Sequence, residues 1–194
     1  MRLALFDFDG TLSTRDSLMP FLRHTCGTPR FLGGLALLAP VLGAYAVGWM
    51  ANDRAKARVL GHFLGGQTLV QVQQAGAVFA RTALPDLLRT SSMARLREHQ
   101  ARGDCCVLVS ASLDVYLGPW TAAQGFDALL CSSLVTTADG HVTGALAGAN
   151  CFGPEKARRI TDWLAGRHPD HITAYGDSRG DDEMLAMADT PVRL

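Results

Sequence analysis

Apolar residues fall along this chain in runs of two kinds, and each predicts a different element. Residues 3–8 are almost continuously apolar instead of alternating, which predicts a strand buried on both faces. "CCVLV" at 105–109 and the shorter "HITAY" at 171–175 repeat that signature. "ALLCSSLV" at 128–135 predicts a strand running on into "TTADGHVTG", where Asp139-Gly140 predicts a tight turn. Helical spacing fills the intervals: "LPDLLRTSSMARLREHQARG", "SLDVYLGPWTAAQG" and "GPEKARRITDWLAG". These meet Gly103, Gly125 and Gly166, the usual C-terminal stop. Alternation of strand and helix predicts an α/β fold with a mostly parallel sheet, whose ligands bind at the carboxyl ends of its strands.

From about Thr14 to Arg89 no segment has strand character, so an all-helical insert is expected directly after the first strand. The expected division is a core of residues 1–13 with 90–194 and a helical cap of residues 14–89. Within the insert, "FLGGLALLAPVLGAYAVGWM" at 31–50 has no charge and is long enough to cross a hydrocarbon core. Gly33, Gly34, Pro40, Gly43 and Gly48 interrupt it, which predicts two short buried helices or a helical hairpin. The closing "DTPVRL" reads as a brief edge strand or as the point where a longer chain was shortened.

Composition narrows the class. Of 194 residues, 48% are hydrophobic and 19% charged, which suits a folded globule. Eighteen basic residues balance eighteen acidic ones, so no bulk electrostatic grip on nucleic acid is indicated. Five scattered cysteines form no framework and are expected to be reduced thiols of a cytoplasmic protein. Neither they nor the six histidines recur at the spacing of a structural zinc site. The N-terminus leads into a strand pattern without a basic leader and apolar signal segment.

Four polar segments interrupt the apolar pattern at strand ends. In "LALFDFDGTLS" Asp7 and Asp9 are two apart, so in extended backbone both side chains point to one side. Paired carboxylates repel and are costly to desolvate, and a divalent cation offsets both penalties; Asp9 could instead cap the following turn. In "CCVLVSAS", Ser110 ends a strand with its hydroxyl in the crevice, and Ser112 is expected as a helix N-cap. Lys156 in "CFGPEKARRI" sits in the first turn of a helix, where a cation is disfavoured unless an anion faces it. It could equally be a surface lysine. In "AYGDSRGDDEMLAMAD", Asp177 ends a strand and Asp181 lies where a helix should begin, with Met184, Leu185 and Met187 on its buried face.

"DFDGT", a strand-end serine, a lysine and "GDSRGDDEML", in this order, resemble the motifs of the haloacid dehalogenase superfamily. An insert placed after the first motif resembles the phosphoserine-phosphatase-like branch. The resemblance implies a Rossmann-like three-layer core with a helical cap and an Mg²⁺-dependent phosphatase. Asp7 would be the nucleophile and Asp9 the general acid and base. Mg²⁺ would be held by Asp7, Asp177 and the backbone carbonyl of Asp9, with Asp181 orienting a metal-bound water or Lys156. Thr11, Ser110 and Lys156 would hold the phosphoryl oxygens. Asp9 favours phosphate-ester hydrolysis over carbon–halogen cleavage, but separates phosphatase from phosphotransferase poorly.

In the serine-phosphate enzymes of that branch an acidic and a basic cap residue meet the substrate's amine and carboxylate. Asp16 and Arg58 match those positions here, within a cap more apolar than an amino acid needs. Some bacterial members with a greasy stretch after the first motif act on lipid phosphates. The partner is therefore expected to be a phosphorylated small molecule or a lipid phosphate. Residues 31–50 form either the cap's own core or a peripheral contact with the inner membrane surface. A single crossing is ruled out by the chemistry, since it would part Asp7 from Ser110. A non-catalytic phosphate-binding protein on the same scaffold is the rival of another class, and it would be expected to lack one of Asp7, Asp9, Lys156 or Asp177.

Overall fold

A computed structural model describes residues 1–194. Strand β1 (Arg2–Phe6) enters the centre of the molecule and turns out of it through a tight segment at Phe8–Leu12. Four helices follow: α1 (Leu18–Cys26), α2 (Thr28–Ala46), α3 (Asn52–Leu64) and α4 (Leu69–Thr82). Helix α5 (Thr90–Ala101) then leads into β2 (Cys105–Leu113), α6 (Asp114–Gln124) and β3 (Ala128–Ser132). A hairpin of β4 (Leu134–Thr136) and β5 (Val142–Leu146) precedes α7 (Pro154–Leu164). Strand β6 (His171–Gly176), the short α8 (Asp182–Ala186) and β7 (Thr190–Arg193) complete the chain.

Five strands form one parallel sheet in the order β3-β2-β1-β6-β7, with Leu3 opposite Cys105 on one side and Ile172 on the other. Both faces are covered, which explains the unbroken apolar runs. Leu3, Leu5, Val107 and Val109 face Ile160 and Met184 of α7 and α8. Ala4, Phe6, Cys106 and Leu108 face the opposite way, in a core that continues into the helices between β1 and β2. Phe6 stacks on Tyr175 with ring centroids 4.7 Å apart. "DTPVRL" supplies β7, a parallel edge strand beside β6.

Two expectations about elements need correction. The expected strand at 128–135 breaks at Ser133, so that β4 leaves the main sheet and pairs antiparallel with β5. The hairpin docks on the helical insert instead. Val142 N–H donates to Gln67 O (2.8 Å), Gly66 N–H to Val142 O (3.0 Å) and Leu69 N–H to Gly140 O (2.9 Å). Gly144 has φ 90°, and a Cβ there would lie 2.3 Å from Gly61 Cα, so only glycine permits this approach.

Residues 31–50 form neither two helices nor a hairpin, because α2 runs unbroken from Thr28 to Ala46 with Pro40 inside it. Phe31, Gly34 and Leu38 anchor one side of it, with Phe31 against Phe63 of α3 at 5.6 Å between centroids. As the cap's own core this stretch serves only in part: Phe31 and Leu38 join that core, while only 17% of its most apolar window is buried. Phe21, Leu60, Leu64, Val72 and Phe79 of α1, α3 and α4 make that core. Helix α7 does end near Gly166 as expected, with Ala165 (φ 48°) and Gly166 (φ 80°) both left-handed after Leu164.

Candidate active site

Parallel pairing brings the ends of β1, β2 and β6 to one rim of the sheet, and the polar residues collect there. Asp7 continues β1, its N–H donating to Tyr175 O at 2.9 Å. The chain must then reverse at once, and Gly10 makes this feasible with φ 83°. A Cβ at Gly10 would also meet Asp177 Oδ2 at 2.0 Å, so the glycine lets β1 and β6 bring their carboxylates together.

Lys156 lies in the first turn of α7 and is 2% exposed. Its Nζ donates to Asp7 Oδ1 (2.5 Å) and to Asp181 Oδ1 (2.6 Å), the anionic partners that its place on the helix called for. Asp181 is fully engaged. Its Oδ2 accepts from Asp177 N–H (3.2 Å), Ser178 N–H (3.0 Å) and Ser178 Oγ (3.0 Å). Burial pushes the Asp7 carboxyl up to about 7 despite the Lys156 charge beside it. Lys156 is held above its ordinary value, since burial works downward but the charges of Asp7 and Asp181 outweigh it. Burial also works upward on Asp181, yet Lys156 and the Ser178 donors keep it below the usual carboxylate range.

Asp9 faces elsewhere. Its carboxylate accepts from Ser17 N–H (2.8 Å) and Ser112 Oγ (2.5 Å), groups at the start of α1 and near the end of β2. Burial first, then the charge of Asp16, raise it to about 6. Ser112 is thus no N-cap: Leu113 precedes α6 without a side-chain cap, and the Ser112 hydroxyl serves Asp9. Ser17 Oγ extends the network to Ser112 Oγ (3.2 Å) and Tyr116 Oη (3.0 Å). Asp9 opens onto a cavity of about 300 Å³ whose lining also includes Asp7, Lys156, Asp181, Asp16 and Lys56.

Asp7, Asp177, Asp181 and Lys156 therefore meet, and all of these but Asp177 line the cavity together with Asp9. Thr11 and Ser110 are buried and absent from the cavity lining. Thr11 Oγ1 has no partner, while Ser110 Oγ accepts from Ser112 N–H (3.1 Å) and keeps its own proton free to donate. Asp16 lines the cavity but also accepts from Met19 N–H (3.0 Å), capping the first turn of α1.

Arg58 does not reach the cavity. It is exposed on α3, and Lys56 takes the inward position, donating to Ala111 O (2.5 Å) and Asn150 Oδ1 (2.9 Å). Two residues along a helix is more than half a turn, so both cannot face inward. The apolar phase of α3, set by Ala55, Val59 and Phe63, marks the inward side and was the available signal for Lys56. Asn52, Asn150 and Arg89 also escaped sequence reasoning. Asn150 Nδ2 donates to Asn52 Oδ1 (2.9 Å). Arg89 Nη2 donates to Gly10 O (3.0 Å) and its N–H to Leu12 O (2.7 Å), bracing the turn that carries Asp9.

The acidic cluster has the chemistry of a hard-cation site. Ligand oxygens of Asp7, Asp177 and Asp181 lie within 4.8 Å of one another, and Asp177 Oδ1 is buried without a partner. With Asp181 committed to Lys156 and Ser178, Asp7 and Asp177 are the carboxylates left to offer oxygens.

A parallel sheet with paired aspartates at its central strand end and a helical insert behind them defines a hydrolase class. The chain belongs to the haloacid dehalogenase-like hydrolase family, whose model matches residues 4–186. It is 38% identical over 187 residues to Protein CicA of Caulobacter vibrioides, covering 96% of this chain and 83% of that protein. A protein of unknown function from Bordetella pertussis Tohama I has a crystal structure that superposes with a TM-score of 0.85. That match has 26% identity and covers 99% of this chain and 89% of that one. A substrate-bound phosphoserine phosphatase shares the fold at a TM-score of 0.68 and 18% identity, over 96% of this chain and 82% of its own.

Proposed function

We propose that this hydrolase is a phosphatase that cleaves phosphate monoesters through an aspartyl phosphate on Asp7, with Mg²⁺ as its cofactor. The observation that carries the reading is the divergence of two carboxylates two residues apart. Asp7 turns to Lys156, and Asp9 turns to Ser17 and Ser112 with its carboxyl raised to about 6, both on the wall of one cavity. This divergence supports Asp7 as the nucleophile and Asp9 as a proton carrier that works near neutral pH.

In the first step an Asp7 oxygen attacks phosphorus and the bond to the leaving oxygen breaks, that oxygen taking the proton of Asp9. In the second, Asp9 takes a proton from water, whose oxygen attacks the same phosphorus. Inorganic phosphate departs and the Asp7 carboxylate is restored. Lys156 offsets charge on the phosphoryl oxygens, and the Thr11 and Ser110 hydroxyls have protons to donate to them. Asp181 keeps Lys156 in place. Mg²⁺, held by Asp7, Asp177 and the Asp9 carbonyl, would neutralise the acidic cluster and polarise the phosphoryl group.

The substrate is a phosphate ester of a small molecule or of a lipid. Lys56, Asn52 and Asn150 offer polar contacts in the cavity, while Leu18, Met19, Leu42, Tyr45, Ala55 and Val59 give it an apolar wall. For phosphoserine, Asp16 is present for the amine and Lys56 stands in the cavity where Arg58 was expected to meet the carboxylate, within a lining more apolar than an amino acid needs. The test is phosphate release from an aryl phosphate with Mg²⁺ and with chelator, for the intact chain and for Asp7→Asn. Metal-dependent turnover that Asp7→Asn abolishes supports the reading; turnover retained by Asp7→Asn overturns it.

A further inference from the structure

Helix α2 turns an unpartnered apolar face to solvent. Leu32 is 59% exposed and Leu37 70%, and in the turn that follows the helix Val47 is 63% and Trp49 88% exposed. From residue 31 to residue 50 there is no charged side chain. A surface helix of a soluble protein has a polar outer stripe, and this one has none. The helix is nonetheless fixed to the protein by Phe31, Gly34 and Leu38. Asp9 before it and Lys56 after it reach the same cavity, so it lies along a surface and does not cross one.

Charge indicates what covers this face. Residues 14–89 hold eight Arg and Lys against three Asp, while the remainder of the chain holds ten against fifteen, so the basic excess is confined to the cap. Arg23 and Arg30 are exposed near the N-terminal end of α2, and Arg54 and Arg58 on the first turns of α3. A second copy would bring a like charge to this face, whereas an anionic lipid surface brings the opposite one. Trp49 and Tyr45 are side chains suited to the headgroup boundary. Leu42 and Tyr45 of the same helix line the cavity, so the exposed face continues into the mouth of the site.

We infer that α2 docks the protein on an anionic bilayer, its outer face in the headgroup boundary, so that a phosphate carried by an amphiphile at that surface enters the cavity. The docking stands on α2 and the cap charge; the substrate half rests on the phosphatase reading. The test is sedimentation of the full chain with phosphatidylglycerol–phosphatidylcholine vesicles, beside vesicles of phosphatidylcholine alone. Binding to the anionic vesicles, weakened by salt and accompanied by a blue shift of tryptophan emission, is expected. The double variant Leu37→Glu, Val47→Glu should partition about tenfold or more less well. Its turnover of a soluble aryl phosphate should be unchanged, since neither residue lines the cavity. Asp7→Asn should bind vesicles like the unmodified chain, which separates docking from chemistry. No binding at low salt, unchanged binding by the double variant, or a dimer that shields Trp49 and ignores vesicles would each overturn the inference. Vesicle binding without phosphatase activity would leave docking intact and remove only the substrate half.

Discussion

Replacing Lys156 with Met tests the electrostatic centre of the site. The methionine matches the lysine stem in length but leaves Asp7 and Asp181, both buried, without the cation they share at 2.5 and 2.6 Å. Removing one member of a buried ion pair costs about 3–5 kcal/mol, because the remaining charge is left uncompensated in a poorly solvated place. For a chain of this size each kcal/mol lowers the melting temperature by about 2–4 °C, so a loss of about 6–20 °C is expected near pH 7. The loss should shrink on acidification. Burial already raises the Asp7 carboxyl with Lys156 beside it, and loss of that charge raises it further, so this part of the variant's stability is greatest below the unfolded value of 3.8. It falls as pH rises through the folded value. Thermal melts of both proteins at pH 5 and pH 8, in chelator, measure this. A variant that melts with the unmodified protein at pH 8, or whose deficit widens at pH 5, would refute the ion-pair account.

Asp9→Asn should lower turnover about 10²–10⁴-fold, the usual worth of a positioned proton donor. The loss should be smallest for aryl phosphates whose leaving group needs no proton; an equal loss for alkyl and aryl esters would count against the role. Asp7 is raised to about 7 by burial, so without cation its contribution to stability is present below 3.8 and lost as pH rises through about 7. On the proposed reading Mg²⁺ would bind the ionised form, and calorimetry should show it raising the melting temperature more at pH 8 than at pH 5.5. Arg89→Leu removes the donor to the Gly10 carbonyl. It should cost about 1–2 kcal/mol in denaturant melts and slow turnover by disturbing the turn that carries Asp9.

The sheet and the site were legible for the same reason: burial on both faces leaves unbroken apolar runs, and a polar residue ending one stands out. Asp7, Ser110 and Asp177 each close such a run. Lys156 was legible through the anomaly of a cation at a helix start. The cap was read less well. Helix α2 is apolar all round, so no periodicity separates its inner side from its outer one, and glycines and a proline suggested breaks that packing on α3 overrides. Arg58 was chosen on resemblance, although the phase of Ala55, Val59 and Phe63 turns Lys56 inward. The departure of β4 from the sheet turns on contacts with α3 and with Gly66–Leu69, distant in sequence and invisible locally.

Because the β4–β5 hairpin is bonded to Gly66, Gln67 and Leu69 and interlocked with α3 through Gly61 and Gly144, the insert is gripped by a jaw that belongs to the later half of the chain. A swing of the four helices away from the sheet would have to bend the polypeptide where the hairpin joins β3 and α7, as well as beside Ser13 and Leu88. Access to the cavity is then set by a stiff frame with four flexing points, and a small side chain grafted onto Gly144 should loosen that frame without touching a single residue of the cavity wall.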